Sequence, residues 1–157
     1  MNAANIDGGR SMIRTSTTGT TTVEIEAAEA SLGRALPYSF ATWLLLNNGR
    51  SLGGLLVFPV FDARNPRKTW NSIVRHYNEG WREWRDTFDH TGADFSNLLP
   101  FAEFGTGDYY CFDYGRTDAS LEPAVVLWSH ETGETAHVAN DFATFLSMQG
   151  HEGEGAN

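Results

Sequence analysis

Apolar residues recur at helical steps through the first half of the chain and at alternate positions through much of the second. Thr21 and Glu24 have the spacing of a capping box, and Ile25, Ala28, Glu29 and Leu32 follow at helical steps to Gly33, a residue suited to a left-handed close. Pro37 fits the first turn of a second helix, whose face is Phe40, Trp43, Leu44 and Asn47 and whose end is Asn48-Gly49. Residues 53–61 (G-G-L-L-V-F-P-V-F) predict a buried strand ending at a sheet edge, because Pro59 cannot donate to a ladder. Asn65-Pro66 opens the next helix. Trp70, Ile73, Val74, Tyr77, Trp81, Trp84 or Arg85, and Phe88 share its spacing, so one long aromatic helix is expected, bent or broken at Gly80.

From Leu98 onward the period is two. Leu99, Phe101 and Phe104 lead to the turn G-T-G-D at 105–108, and the following strand places Tyr110 and Phe112 opposite Tyr109, Cys111 and Asp113. Pro123 opens A-V-V-L-W-S, apolar enough for a central strand, and E-T-G turns it into a hairpin with E-T-A-H-V. Asn140 is the expected cap of a last helix with Phe142, Phe145, Leu146 and Gln149 on one face. This order predicts a single α+β domain, a mainly antiparallel sheet of about five strands packed by helices. Residues 1–20 and 150–157 are expected to be flexible arms around a domain at 21–149, since they are rich in Gly, Ser, Thr and Asn or in Gly and Glu.

With 157 residues, one domain can bury ~70% of its unfolded surface. No run approaches the ~18 apolar residues of a membrane span, and no basic-then-apolar leader is visible, so a soluble cytoplasmic protein is expected. Cys111 is the only cysteine, which excludes an internal disulfide and a cysteine-cluster zinc site. Charge is divided unevenly. Residues 1–78 hold 8 Lys or Arg against 5 Asp or Glu, whereas residues 79–157 hold 3 against 15. An acidic second half argues against a nucleic-acid ligand, which needs clustered cations. It suits either solubility or a basic partner protein.

Two short helices joined at L-G-x-x-L-P and closed by N-G resemble the opening of the SUKH superfamily, bacterial toxin-immunity proteins related to fungal cell-wall-assembly regulators. Three further blocks are similar to that family in order and spacing: L-P-F-A-E-F-G-T-G-D-Y-Y-C-F-D, P-A-V-V-L-W-S-H-E and A-H-V-A-N-D-F-A-T-F-L. The resemblance covers roughly 22–148. It implies binding rather than catalysis: an immunity protein that covers and neutralises a cognate bacterial toxin, a nuclease above all. The alternative is a non-catalytic regulatory scaffold for a cellular protein. The aromatic stretch at 70–88 and the N-terminal arm depart from a minimal member.

A basic toxin would meet acids at strand ends and turns: Asp86, Asp89, Glu103, Asp108, Asp118, Glu122, Glu131 and Glu134. Among Trp81, Trp84, Tyr109 and Tyr114, those that are exposed would be anchors, since aromatic side chains dominate interface energetics. Asp108 and Asp113 are also candidates for a functional acid pair, although an Asp at a turn more often bonds local backbone amides, the role that Asp108 fits. An enzyme reading finds little support. His130 and His137 with Glu131 or Glu134 lack the helical spacing of a zinc motif, His76 falls on the polar side of its helix, and Cys111 suits a small buried hydrophobe. No phosphate-binding glycine loop or nucleophile elbow is present, and no cofactor is expected.

Overall fold

The structure, a computed structural model, describes residues 19–155, and of 150–155 the backbone alone. Helix α1 spans Thr22–Leu32. The Thr21 hydroxyl accepts the Glu24 amide at 3.4 Å, and Gly33 closes the helix at φ 76°. Ile25, Ala28 and Leu32 are its buried stripe, as the spacing predicts. Helix α2 (Tyr38–Asn47) buries Phe40 and Leu44. Its N-cap is Pro37, which has no side-chain acceptor to offer. The missing cap comes from 83 residues downstream: Glu122 accepts the Ser39 amide at 3.1 Å and the Ser39 hydroxyl at 2.7 Å.

Strand β1 is Leu56–Val57, far shorter than expected from residues 53–61. Residues 58–61 stay mostly buried yet leave the ladder after one bond, from the Phe58 amide to the Phe101 carbonyl. The expected long helix is three: α3 (Pro66–Thr69), α4 (Ile73–Asn78) and α5 (Gly80–Thr87), followed by a 3-10 turn at Asp89–Thr91. The break before α4 has a clear cause. The Ser72 side chain caps the Arg75 amide, and the Ile73 amide is taken by the Pro59 carbonyl at 2.8 Å. An amide bonded across the fold cannot also serve a continuous helix. The second break lies at Glu79, with φ −115° and ψ −83°.

Strands β2 (Leu98–Glu103), β3 (Tyr109–Thr117), β4 (Pro123–Trp128) and β5 (Thr135–Ala139) complete a five-stranded antiparallel sheet in the order β1-β2-β3-β4-β5. Helix α6 runs over Phe142–Gly155. Its first turn is bonded by Asp141, whose carboxylate accepts the Thr144 amide at 2.8 Å, so Asp141 takes the role expected of Asn140. The backbone continues as helix through 150–155, where a flexible tail was expected. At the other end, Thr20 belongs to the domain rather than to an arm. It is buried, and its hydroxyl donates to Asp62 at 2.8 Å. The rest of the expected arm, 1–18, lies outside the described residues, as do 156–157.

The sheet has aromatic layers on both faces. Against α2 and α6, the rings of Phe101 and Phe112 stack at 4.1 Å, and Phe40, Phe142 and Phe145 close around them. Against α4 and α5, Trp81 meets Trp128 edge-on at 5.0 Å, with Tyr109, Trp84, Phe88 and Phe95 around the pair. Cys111 is buried, and burial pushes its thiol well above the usual range.

Candidate functional site

The amphipathic helix α5 sets one wall of a surface groove. Trp81, Trp84 and Phe88, spaced at three and four residues, turn to the core layer, while Arg82 and Asp86 face outward. The β4–β5 turn is pinned beside it. The Gly133 amide bonds the Ser129 carbonyl at 2.7 Å, and a Cβ on Gly133 would stand 3.0 Å from the Phe88 ring. Only glycine, here at φ 75°, allows that approach. The turn therefore lies on the end of α5 and brings its exposed acids there.

Two adjoining depressions share the wall Ala93, Asp94 and Phe95. One, of about 560 Å³, is lined by Asp86, Asp89 and Asp94, with Arg82 and Arg85. The other is lined by Asp94, Asp113 and Glu134. Asp94 is tied into a turn by the Ser96 amide, which holds its carboxyl below the usual range. Asp113 accepts the Gly115 amide and pairs with Arg116 at 3.5 Å. Asp94 was not among the residues expected here, and Asp113 was expected only as a candidate acid pair with Asp108. Asp94-x-Ser96 carries the signal of an Asx turn, but nothing local shows that the turn forms a shared wall.

The structure gathers some expected residues and scatters others. Asp86, Asp89, Glu131 and Glu134 are exposed around the end of α5. Trp81 and Tyr109 are buried at 0% and 6% exposure, so neither is a surface anchor: the α5 layer claims both rings. Trp84 is half-buried against Trp128 and His130. Tyr114 donates to the Ala35 carbonyl at 2.8 Å beneath the Arg34 guanidinium, which ties β3 to the α1–α2 loop. Glu122 is committed to capping α2. Asp118 accepts the Ser120 and Glu122 amides, closing the turn that holds exposed Leu121 at φ 68°. Glu103 is half-buried at the β1 side of the sheet, and burial raises its carboxyl.

Asp108 and Asp113 form no acid pair, for each has its own partner. Asp108 accepts the His130 amide at 2.9 Å and faces its Nδ1 at 2.6 Å; these bonds hold the carboxyl below its usual range. They join the β2–β3 turn to the β4–β5 turn. Asp108 thus bonds a backbone amide, though one 22 residues away rather than nearby. Among the described residues no three of His, Cys, Asp and Glu are placed to hold a metal ion. His76 is not on a polar face: its ring stacks on Phe58 at 3.6 Å.

The profile of the SMI1 / KNR4 family (SUKH-1) matches residues 19–148. The chain belongs to that family. A search of curated proteins found no match. The matched span starts at Gly19, in line with the buried Thr20, and ends within α6. SUKH-1 proteins act in toxin immunity or regulation through contacts with other proteins. No described helix of this SUKH-1 domain is long and apolar enough to cross a membrane. Its groove is open and lined by more acids than bases, an arrangement suited to cationic side chains of a protein surface.

Proposed function

We propose that this SUKH-1 domain is a cytoplasmic immunity protein that binds a cognate bacterial toxin, a basic nuclease, and neutralises it without catalysis. The observation that carries the reading is the gathering of Asp86, Asp89, Asp94 and Glu134 around two adjoining depressions, outnumbering Arg82 and Arg85 there, in a protein of net charge −9. A nuclease must attract phosphate and so presents cations around its cleft. An acidic surface meets the same cations, speeds encounter and competes with the substrate. Exposed Glu131 adds to that field from the neighbouring turn.

The test is co-expression with a toxin encoded beside this protein. Survival of the cells and co-purification of the two chains in a stable complex are expected. Cell death at full expression of the SUKH-1 domain would overturn the reading. A stable complex with a cellular protein unrelated to toxins would replace it with the regulatory scaffold.

A further inference from the structure

The sheet has two edges, and only one is concealed. At the β1 edge the strand is two residues long, and the chain beyond it stays largely buried. At the other, β5 pairs with β4 alone. The alternation of an antiparallel ladder tells which of its groups are free. Ser129 donates to Glu134, and Trp128, Leu127 and Val126 then oppose Thr135, Ala136 and His137. Bonded pairs alternate with unbonded ones, so the N–H and C=O of Thr135 and His137 point away from β4. Thr135, Ala136 and His137 are all exposed. The strand T-A-H-V-A has no Lys or Pro, the usual guards of an open edge. Its one irregularity falls where Val125 and Val126 oppose Ala139 and His137, past the free stretch.

Side chains add a second observation. Thr135 and His137 oppose Trp128 and Val126 and stand on the α5 face of the sheet. Thr135 lines the depression that holds Asp94, Asp113 and Glu134; His137 lines the next one, with Arg116, Asp118 and Asn140. Two residues of strand separate them, ~7 Å. A strand laid along β5 would place alternate side chains over successive depressions, the first of them lined by Asp94, Asp113 and Glu134. We infer that β5 accepts an extended segment of the partner by strand addition, with an Arg or Lys side chain entering beside Asp94 and Glu134. This rests on the immunity reading for the partner's identity but not for the edge itself. A second copy of the chain fits poorly. Antiparallel pairing about a twofold axis would set the Glu134 end of one β5 beside the Asp141 end of the other, acid against acid.

The experiment uses the full-length protein labelled with ¹⁵N and, as probe, the peptide acetyl-Val-Arg-Val-Arg-Val-amide. Glu in place of both Arg gives the control peptide. Saturable shifts centred on the amides of Thr135 and His137 are expected with the Arg peptide, weakening as salt rises, and none with the Glu peptide. His137→Pro removes an outward N–H and no ladder bond, and it should weaken binding about tenfold. The double variant Asp94→Lys with Glu134→Lys leaves the ladder intact and should do the same. Shifts elsewhere, equal binding of both peptides, or unchanged affinity in both variants would overturn the inference. So would a wild-type dimer in sedimentation that His137→Pro dissolves. A toxin neutralised equally by wild type and His137→Pro leaves immunity standing and refutes strand addition in that complex. Peptide binding at β5 in a protein that rescues no cell does the reverse.

Discussion

The two faces of the sheet solve the same packing problem with different chemistry. On the α2–α6 face the layer is chiefly phenylalanine: Phe40, Phe101, Phe112, Phe142 and Phe145, joined by Trp43 and Tyr110. Its central rings have no polar atom to satisfy. The α4–α5 face uses Trp81, Trp84, Trp128, Tyr109 and His76 beside Phe58, Phe88 and Phe95. There the indole nitrogens of Trp81 and Trp128 and the Nε2 of His76 have no hydrogen-bond partner among the described residues. The polar-tipped layer underlies the acidic groove, whereas the hydrocarbon layer underlies none of its lining. Large amphipathic rings give α5 and the β4–β5 turn a stiff support, at the cost of buried polar atoms without partners.

The strongest way to break this comparison is truncation at the centre of each face. Trp81→Ala and Phe112→Ala are each expected to cost about 3–5 kcal/mol in urea unfolding. Trp81→Phe then separates the faces. It should cost no more than about 2 kcal/mol, because loss of an unbonded N–H offsets part of the lost volume.

His76 sharpens the contrast through pH. Burial, with Arg75 adding repulsion, pulls its imidazole down to about 4 from an ordinary 6.5. Between those values the unfolded chain holds more protons than the folded one, so stability is complete above 6.5 and falls as pH drops through the window. His76→Phe, which keeps a ring over Phe58, should flatten that slope. After discount for the ring's partial exposure, it should gain on the order of 1 kcal/mol at pH 5 relative to pH 7. Equal slopes in the two proteins would show that His76 is not buried neutral.

On the opposite face, Glu122→Ala leaves the first turn of α2 without its remote cap and should cost about 1 kcal/mol by thermal melting. The smallest stability effect belongs to the exposed turn. Glu131→Lys with Glu134→Lys should change stability by no more than about 0.5 kcal/mol. In a stopped-flow measurement with a basic toxin at low salt, the same pair should slow association about tenfold and reduce its salt dependence. An unchanged on-rate would remove the turn from the docking face.

Much of this was legible in the chain. Thr21, Gly33 and the stripe of α1 are local, since a cap and the turn it bonds lie within four residues. The opposed faces of β3 follow from period two alone, and the family's four blocks were visible in register. Residues 66–88 were less transparent. The apolar spacing runs on through Ser72, and the helix stops there because Ser72 caps the next one and the Pro59 carbonyl, reached across the fold, takes the Ile73 amide. Trp81, Tyr109 and Tyr114 look alike in sequence, yet burial and a hydrogen bond to Ala35 give them different work.

By itself the sequence determined periodicity, local caps and the imbalance of charge, because these depend on neighbours a few residues apart. Which acids are free, which cap a helix, and which edge of the sheet stays open were decided by tertiary structure. The reason is one of distance: Glu122 and Ser39, Asp108 and His130, or Asp94 and Glu134 become neighbours only when the chain closes. Until then, only the Asp residues in local turns, such as Asp94 and Asp118, are set apart from the other carboxylates of the acidic half.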